Sequence, residues 1–312
     1  MIFTTKIPLN CKPLKQLVTY MAERFTYYSE NQWIEKIADS KVTIDGIVAK
    51  TADIASPGAV ITYDAGEFSE PAANLDYRII FEDEWFIGID KPGNLLVHRA
   101  GRSFRNNLIY QLRFVHNPLF PDAHATHRLD RDTSGVLLVA KTDSSRSAMG
   151  RQFEIRAIDK EYLAIVKGIP PGTLKTICLP IGKDTNSEVS YRHWADPQGK
   201  DAVTEIISCT PVGKKYALLR LHPLTGRTHQ IRIHCAATGY PIVGDKLYGM
   251  EESEYIRWRD NPEKFTDNMQ FYRHALHCSS IGFTHPYTKE YCMIESGLPV
   301  DMSELIDKLR IE

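Results

Sequence analysis

The chain has 312 residues, enough for two domains, or one large domain with an appendage, and for a core that needs no metal or disulfide staples. Hydrophobic residues make up 43% and charged residues 25%, and 38 Lys and Arg against 39 Asp and Glu leave a net charge of -1. That balance excludes a wholly basic nucleic-acid-binding tail and an acidic disordered tract, though not a local basic surface.

Six cysteines (Cys11, Cys178, Cys209, Cys235, Cys278 and Cys292) form no C-x-x-C pair, which predicts free thiols in a reducing compartment. The stretch MIFTTKIPLNCKPLKQL has no apolar run after its basic residues, and GVLLVA falls far short of the ~20 residues of a membrane helix. A cytoplasmic protein without membrane contact is the expectation.

In chain order, PLKQLVTYMAERF predicts a helix with Leu14, Leu17, Val18 and Met21 on one stripe, and NQWIEKIADS a second through Trp33, Ile34 and Ile37. KVTIDGIVAK and PGAVITYDAG predict strands joined through Gly and Pro turns. The order is two helices followed by strands, and GEFSEPAAN is the best linker candidate. From Tyr77 the pattern turns strand-rich: YRIIFEDEWFIGIDKP holds two runs, followed by SGVLLVAKT and KEYLAIVKG. Between the last two, SSRSAMGRQFEIRAID predicts a helix capped by its serines, with Met149 and Phe153 four apart. YALLRLHP predicts a strand, GRTHQIRIHCAATG a helix bounded by glycines, and HALHCSSIGFTHP a helix or turn entering a strand. The expectation is a small module over residues 1–70 and a mixed α+β domain of catalytic size over residues 77–312.

There is no phosphate loop, no G-x-G-x-x-G and no H-E-x-x-H, and the G-x-S-x-G elbow is absent too, which argues against hydride transfer, nucleotide hydrolysis and zinc proteolysis. The densest polar cluster is PDAHATHRLDRDTSGVLLVAKT, where His127, Arg128, Asp130 and Arg131 stand just before a strand with a buried pattern. Loops held by a rigid scaffold are where catalytic groups sit, and the flanking arginines keep Asp130 ionised and nucleophilic. The second cluster is LRLHPLTGRTHQIRIH, whose Thr225-Gly226 turn delivers Arg227, Thr228 and His229 to a helix start suited to an anion. Residues 213–247 hold six basic side chains, Arg232 among them, against Asp245 alone, a net of +5 that the whole-chain charge conceals. Tyr162 shares a strand face with Ala164 and Val166, and is either a core tyrosine or a floor on which a flat ring stacks.

HRLDRDTSG (127–135) with VLLVAKT resembles the signature of the RluA family of RNA pseudouridine synthases. The resemblance continues through IIFEDEWFIGIDKPGNLLVH (79–98), KEYLAIVKG (160–168), TGRTHQIRIH (225–234) and HALHCSSIGFTHP (274–286), in the family's order. It implies an α+β pseudouridine synthase fold with a mixed, mainly antiparallel sheet. The implied reaction isomerises uridine within structured RNA, ribosomal or transfer, with no cofactor and no metal. Uracil leaves ribose at N1 and returns through C5. Asp130 then takes the role of the essential aspartate, either attacking C1′ or deprotonating C2′. Arg128 helps fill the vacancy of the flipped nucleotide, Tyr162 stacks on the base and is a candidate for proton handling at C5, and Arg227 pairs with Asp130. Leu276 lines the pocket, and His127, Arg131, His229 and Arg232 are candidate RNA contacts.

The first 70 residues resemble a divergent S4-type RNA-binding domain, with seven basic and nine acidic side chains, a net of -2. A monomer without an obligate protein partner is expected. Three rival functions remain. Zinc-dependent base deamination lacks its H-x-E and P-C-x-x-C motifs. Glycoside hydrolysis would rest on Asp130 and Asp132, which are too close in sequence to flank a sugar. A non-catalytic RNA-binding protein that retains the synthase fold is the third.

Overall fold

The computed structural model describes residues 2–11, 13–25, 28–66, 69–261 and 270–311. The chain divides into two compact units: Met1–Ala72 with Arg99–Asn106, and Ala73–His98 with Asn107–Glu312. Glu67 and Phe68, within the predicted linker, lie outside the described residues, as do the terminal residues Met1 and Glu312.

The small unit is a four-stranded antiparallel sheet in the order β1 (Ile2–Lys6), β4 (Val60–Asp64), β2 (Val42–Ile44), β3 (Ile47–Val48), carrying helices α1 (Leu17–Arg24) and α2 (Glu30–Ala38). A strand therefore precedes the two helices, against the predicted order. Its sequence IFTTK alternates only between exposed and half-buried positions, so it carries little apolar signal. Helix α2 opens on a capping box, Ser29 with Gln32, and buries Trp33 and Ile37, whereas Ile34 stays exposed. Leu14 is exposed too, because α1 begins three residues after it. The segment Arg99–Asn106 belongs to this unit: the Glu70 carboxylate accepts the backbone N–H groups of Phe104, Arg105 and Asn106, and the Phe3 and Phe104 rings lie 4.3 Å apart.

The large unit is built on a ten-stranded sheet. Its main path runs β10 (Thr176–Cys178), β13 (Val203–Val212), β14 (Tyr216–Pro223), β9 (Asp159–Lys167), β15 (Leu276–Thr284), β8 (Ser134–Ala140), β6 (Phe86–Lys91), β5 (Arg78–Glu82). Two short strands pair off that path, β7 (His124–Ala125) with β8 and β16 (Tyr291–Glu295) with β15. Every pairing is antiparallel except β15 with β8, so the fold is mixed α+β with a mainly antiparallel sheet. At that parallel junction Gly135 has φ +108°, and a Cβ there would come within 2.1 Å of the Cys278 carbonyl oxygen. Only glycine fits.

Strand β8 is buried along its whole length, as its unbroken apolar run predicts. Helices α3 (Leu108–Phe114), α4 (Asp143–Glu154), α5 (Gln230–Ala237), α6 (Glu252–Asp260) and α7 (Val300–Arg310) complete the unit, with a two-stranded ribbon β11 (Ile181–Lys183) and β12 (His193–Ala195). Helix α4 is capped by Thr142, just ahead of the expected serines, in a box with Ser145. HALHCSSIGFTHP enters its strand directly, with no helical turn assigned before Leu276.

Candidate active site

Asp130 sits in the turn that feeds β8, and this turn is gripped from below. The buried Lys91 ammonium donates to the carbonyls of Pro92, Leu95 and Arg131 at 2.8, 2.9 and 3.1 Å. Burial pushes Lys91 down to about 7, partly offset by Asp132. The buried Arg273 guanidinium donates to the Asp132 carbonyl at 3.1 Å and pairs with Asp301 through Nε at 2.7 Å. Thr133 Oγ1 lies 2.7 Å from His274 Nε2, tying the turn to the segment before β15.

The Asp130 side chain faces a cavity of about 340 Å³, within the size range of small-ligand sites. Arg232, in the first turn of α5, donates from Nη1 to Asp130 Oδ2 at 2.9 Å. Its other edge donates to both oxygens of the buried Asp245, Nε at 2.7 Å and Nη2 at 2.9 Å. His229 Nε2 stands 3.8 Å from the same Asp130 oxygen, while His229 Nδ1 meets the Tyr248 hydroxyl at 2.8 Å. Burial opposes ionisation of Asp130, but Arg232 outweighs it and holds the carboxyl well below the ordinary carboxylate range. Asp245, opposed and overridden in the same way, lies at about 2. Asp130 is therefore a fixed carboxylate at the edge of an accessible cavity, able to donate an electron pair or take a proton.

Asp130, Tyr162, Arg227 and Leu276 all line this cavity, and so do His127, Arg128, His229 and Arg232. Arg131 is not among its lining residues: its Nε donates to Asn94 Oδ1 at 2.9 Å. Two expectations are corrected. The partner of Asp130 is Arg232, not Arg227, whose Nε donates to the Asp201 carbonyl at 2.9 Å. The reason is the left-handed N-cap at His229 (φ 57°), after which α5 carries Arg232 toward the carboxylate. Arg232 is accordingly buried between two carboxylates and is no free RNA contact. The backbone N–H of Arg227, ahead of the helix, is taken by Gln230 Oε1 at 3.0 Å.

Tyr162 is buried on β9, and its phenol is pushed well above its ordinary range by burial and then by Cys278, so it remains neutral. His127 accepts the Leu138 N–H at Nε2 and is held neutral chiefly by burial. Sequence reasoning missed Lys91, Lys160, Asp245 and Arg273. The available signals were a lysine directly before Pro92, a lysine one strand period before Tyr162, and a lone acid in a basic stretch.

The RNA pseudouridylate synthase family model matches residues 86–237, which span Asp130, Tyr162 and Arg232. The chain is 31% identical over 306 residues to an uncharacterized RNA pseudouridine synthase of Bacillus subtilis, YlyB, covering 92% of this chain and 93% of that one. The chain belongs to the RNA pseudouridine synthases. A ribosomal large subunit pseudouridine synthase D of Vibrio cholerae is 33% identical over 298 residues, covering 93% of this chain and 90% of the relative. The structure of human RNA pseudouridylate synthase domain containing 1 aligns at a TM-score of 0.55 with 26% identity, over 78% of this chain and 98% of that one. This synthase thus has the family's catalytic sheet behind an N-terminal accessory unit. Among the described residues, no helix is long and apolar enough to cross a membrane.

Proposed function

We propose that this synthase acts through Asp130 on a uridine extruded from structured RNA, and that it belongs to the RluA branch of the family. The observation that carries the proposal is the ionised Asp130, fixed by Arg232 beside a cavity also lined by Tyr162. A uracil in folded RNA must leave its stack before its glycosidic bond is reached, at a cost of a few kcal/mol that backbone contacts offset. With the uracil over Tyr162, Asp130 attacks C1′ or removes the C2′ proton while the C1′–N1 bond breaks. Leu276 closes the apolar wall. Exposed Arg128 fills the space the nucleotide leaves, and Arg227 and His229 approach the backbone around the pocket.

The substrate we favour is ribosomal RNA of the large subunit. The name of the Vibrio cholerae relative, which matches nearly the whole chain, supports that choice. For the small unit, residues 1–70 as predicted from sequence, we infer an S4-like RNA-binding role, supported by its pair of helices and the strands β2 to β4. Its net charge of -2 implies recognition by shape more than by charge. We place the enzyme in the cytoplasm as a monomer. Mapping pseudouridine in total RNA with and without this gene tests the substrate. Asp130→Asn tests the site: product formation falls at least roughly 10³-fold while RNA affinity stays within a few-fold. Loss of affinity with the activity would assign Asp130 to RNA binding instead.

A further inference from the structure

Of the cations lining the cavity, Arg232 is committed to two carboxylates, Arg227 donates to a backbone carbonyl and Arg128 is exposed to water. Lys160 differs. It lies on β9 two residues before Tyr162, on the same strand face, and both line the cavity. Among the described residues its ammonium has no carboxylate within ion-pair distance and no hydrogen-bond acceptor. Its Nζ stands 3.8 Å from where a Cβ on Gly226 would be, and 5.8 Å from the Phe153 ring centre. Nearby acids are engaged elsewhere: Asp159 accepts the Tyr291 hydroxyl at 3.1 Å, and Glu161 pairs with Arg220 at 2.5 Å. Burial lowers the Lys160 pKa from its ordinary value, opposed by Cys278, as expected of a cation withdrawn from water beside an aromatic ring and no anion. A lysine held in this way has an anion to meet during function.

Resting on the reading of Asp130 above, we propose that Lys160 is a catalytic residue that stabilises the uracil anion while it is detached from ribose. Cleavage breaks C1′–N1, and the bonding pair leaves with N1, so the ring carries one negative charge spread over N1, O2 and O4. Asp130 balances the step by giving a carboxylate pair to C1′ or by accepting the C2′ proton. As the ring's pair forms the C5–C1′ bond, the Asp130–C1′ bond breaks and its pair returns to the carboxylate, or the proton held by Asp130 returns to C2′; the proton then lost from C5 matches the one gained at N1. Two strand residues span about 6.8 Å, so a base stacked on Tyr162 brings its edge to the Lys160 ammonium. A cation preset where charge develops acts on the transition state more than on bound substrate.

The test is Lys160→Met, which keeps the apolar stem, beside Lys160→Arg, with single-turnover rates on uridine RNA and on the same RNA bearing 5-fluorouridine. For Lys160→Met we expect the rate to fall roughly 10²-fold, with RNA affinity within about threefold and an unchanged salt slope. Lys160→Arg recovers most of that loss. Fluorine makes the ring a better leaving group, so on 5-fluorouridine RNA the consumption of the nucleoside by Lys160→Met lags wild type by less than about tenfold. An undiminished rate on uridine overturns the proposal, and so does an equal defect on both RNAs. A weakened affinity with a salt slope smaller by about one would assign the lysine to a backbone phosphate instead. Wild-type enzyme that converts no uridine on a broad RNA panel refutes the reading of the site itself; an active wild type with an equally active variant refutes only the role of Lys160.

Discussion

The two units solve burial differently. In the small unit the described core is wholly hydrophobic, centred on Leu17, Met21, Trp33, Ile61 and Tyr63, and the one buried polar residue described there is Ser103. The large unit buries Lys91, Arg232, Asp245 and Arg273 together with His234, His274 and His277. Withdrawing each ion from water costs several kcal/mol before pairing repays it, and an apolar core is often as stable or more so. Stability alone therefore does not account for these charges. Three of them converge on one short stretch: Lys91 and Arg273 hold carbonyls of the 131–132 backbone, and Arg232 holds the Asp130 carboxylate. Buried charge marks where position matters to the chemistry, and its near absence from the small unit marks a fold free of that demand.

Arg232→Met should break the contrast most severely, because it leaves Asp130 and Asp245 without their shared cation. We expect a stability loss of roughly 3–5 kcal/mol and at least a 10³-fold drop in pseudouridine formation, read by urea unfolding and single-turnover assay. A variant that stays stable would mean that the carboxylates find other partners. Next is Trp33→Ala, which empties the centre of the small unit, where the indole meets the rings of Phe25, Tyr28 and Tyr63. It should cost the small unit roughly 3–5 kcal/mol, with the single-turnover rate at saturating RNA unchanged. A slower chemical step in that variant would extend the functional demand to the small unit.

The gentlest probe is pH. Burial lowers the pKa of His234, His274 and His277, to about 3 for His274, so the folded state binds fewer protons than the unfolded state below the ordinary histidine value of about 6.5. Stability is therefore complete above that value and declines as pH falls through this window. For His274 the slope is roughly 1.4 kcal/mol per pH unit below that value, with His234 and His277 adding in the same direction, measurable as urea midpoints between pH 7 and 5. A flat profile would mean that the three imidazoles take up protons in place. Asp130, held below the ordinary carboxylate range, contributes no acid limb to the rate across the same interval.

Much of this was legible because period and punctuation are local. β6, β8, β9 and β14 show as apolar runs, and α1 and α2 as stripes through Leu17, Met21, Trp33 and Ile37. β13 hid because Thr204, Glu205, Ser208 and Pro211 dilute its alternation. The turn at 130–133 stood out by its polar density. The choice between Arg227 and Arg232 could not be made, since Asp130 lies about a hundred residues away and the decision rests on one left-handed residue, His229. Lys160 was hidden for a related reason. Whether such a cation has a partner depends on which acids the fold turns away from it, and Asp159 and Glu161 are its immediate neighbours in sequence yet bond elsewhere.

Strand β15 is inserted at the middle of the large sheet although it comes near the end of the chain, joining β9 on one side and β8 on the other. Without β15 the strand order falls into two halves, one ending at β8, which the Asp130 turn enters, and the other at β9, which bears Lys160 and Tyr162. The site is therefore complete only with this late strand in place, and a chain cut before Leu276 should form no pseudouridine in a single-turnover assay. The same seam is a place to divide the protein into two fragments whose reunion switches on base isomerisation.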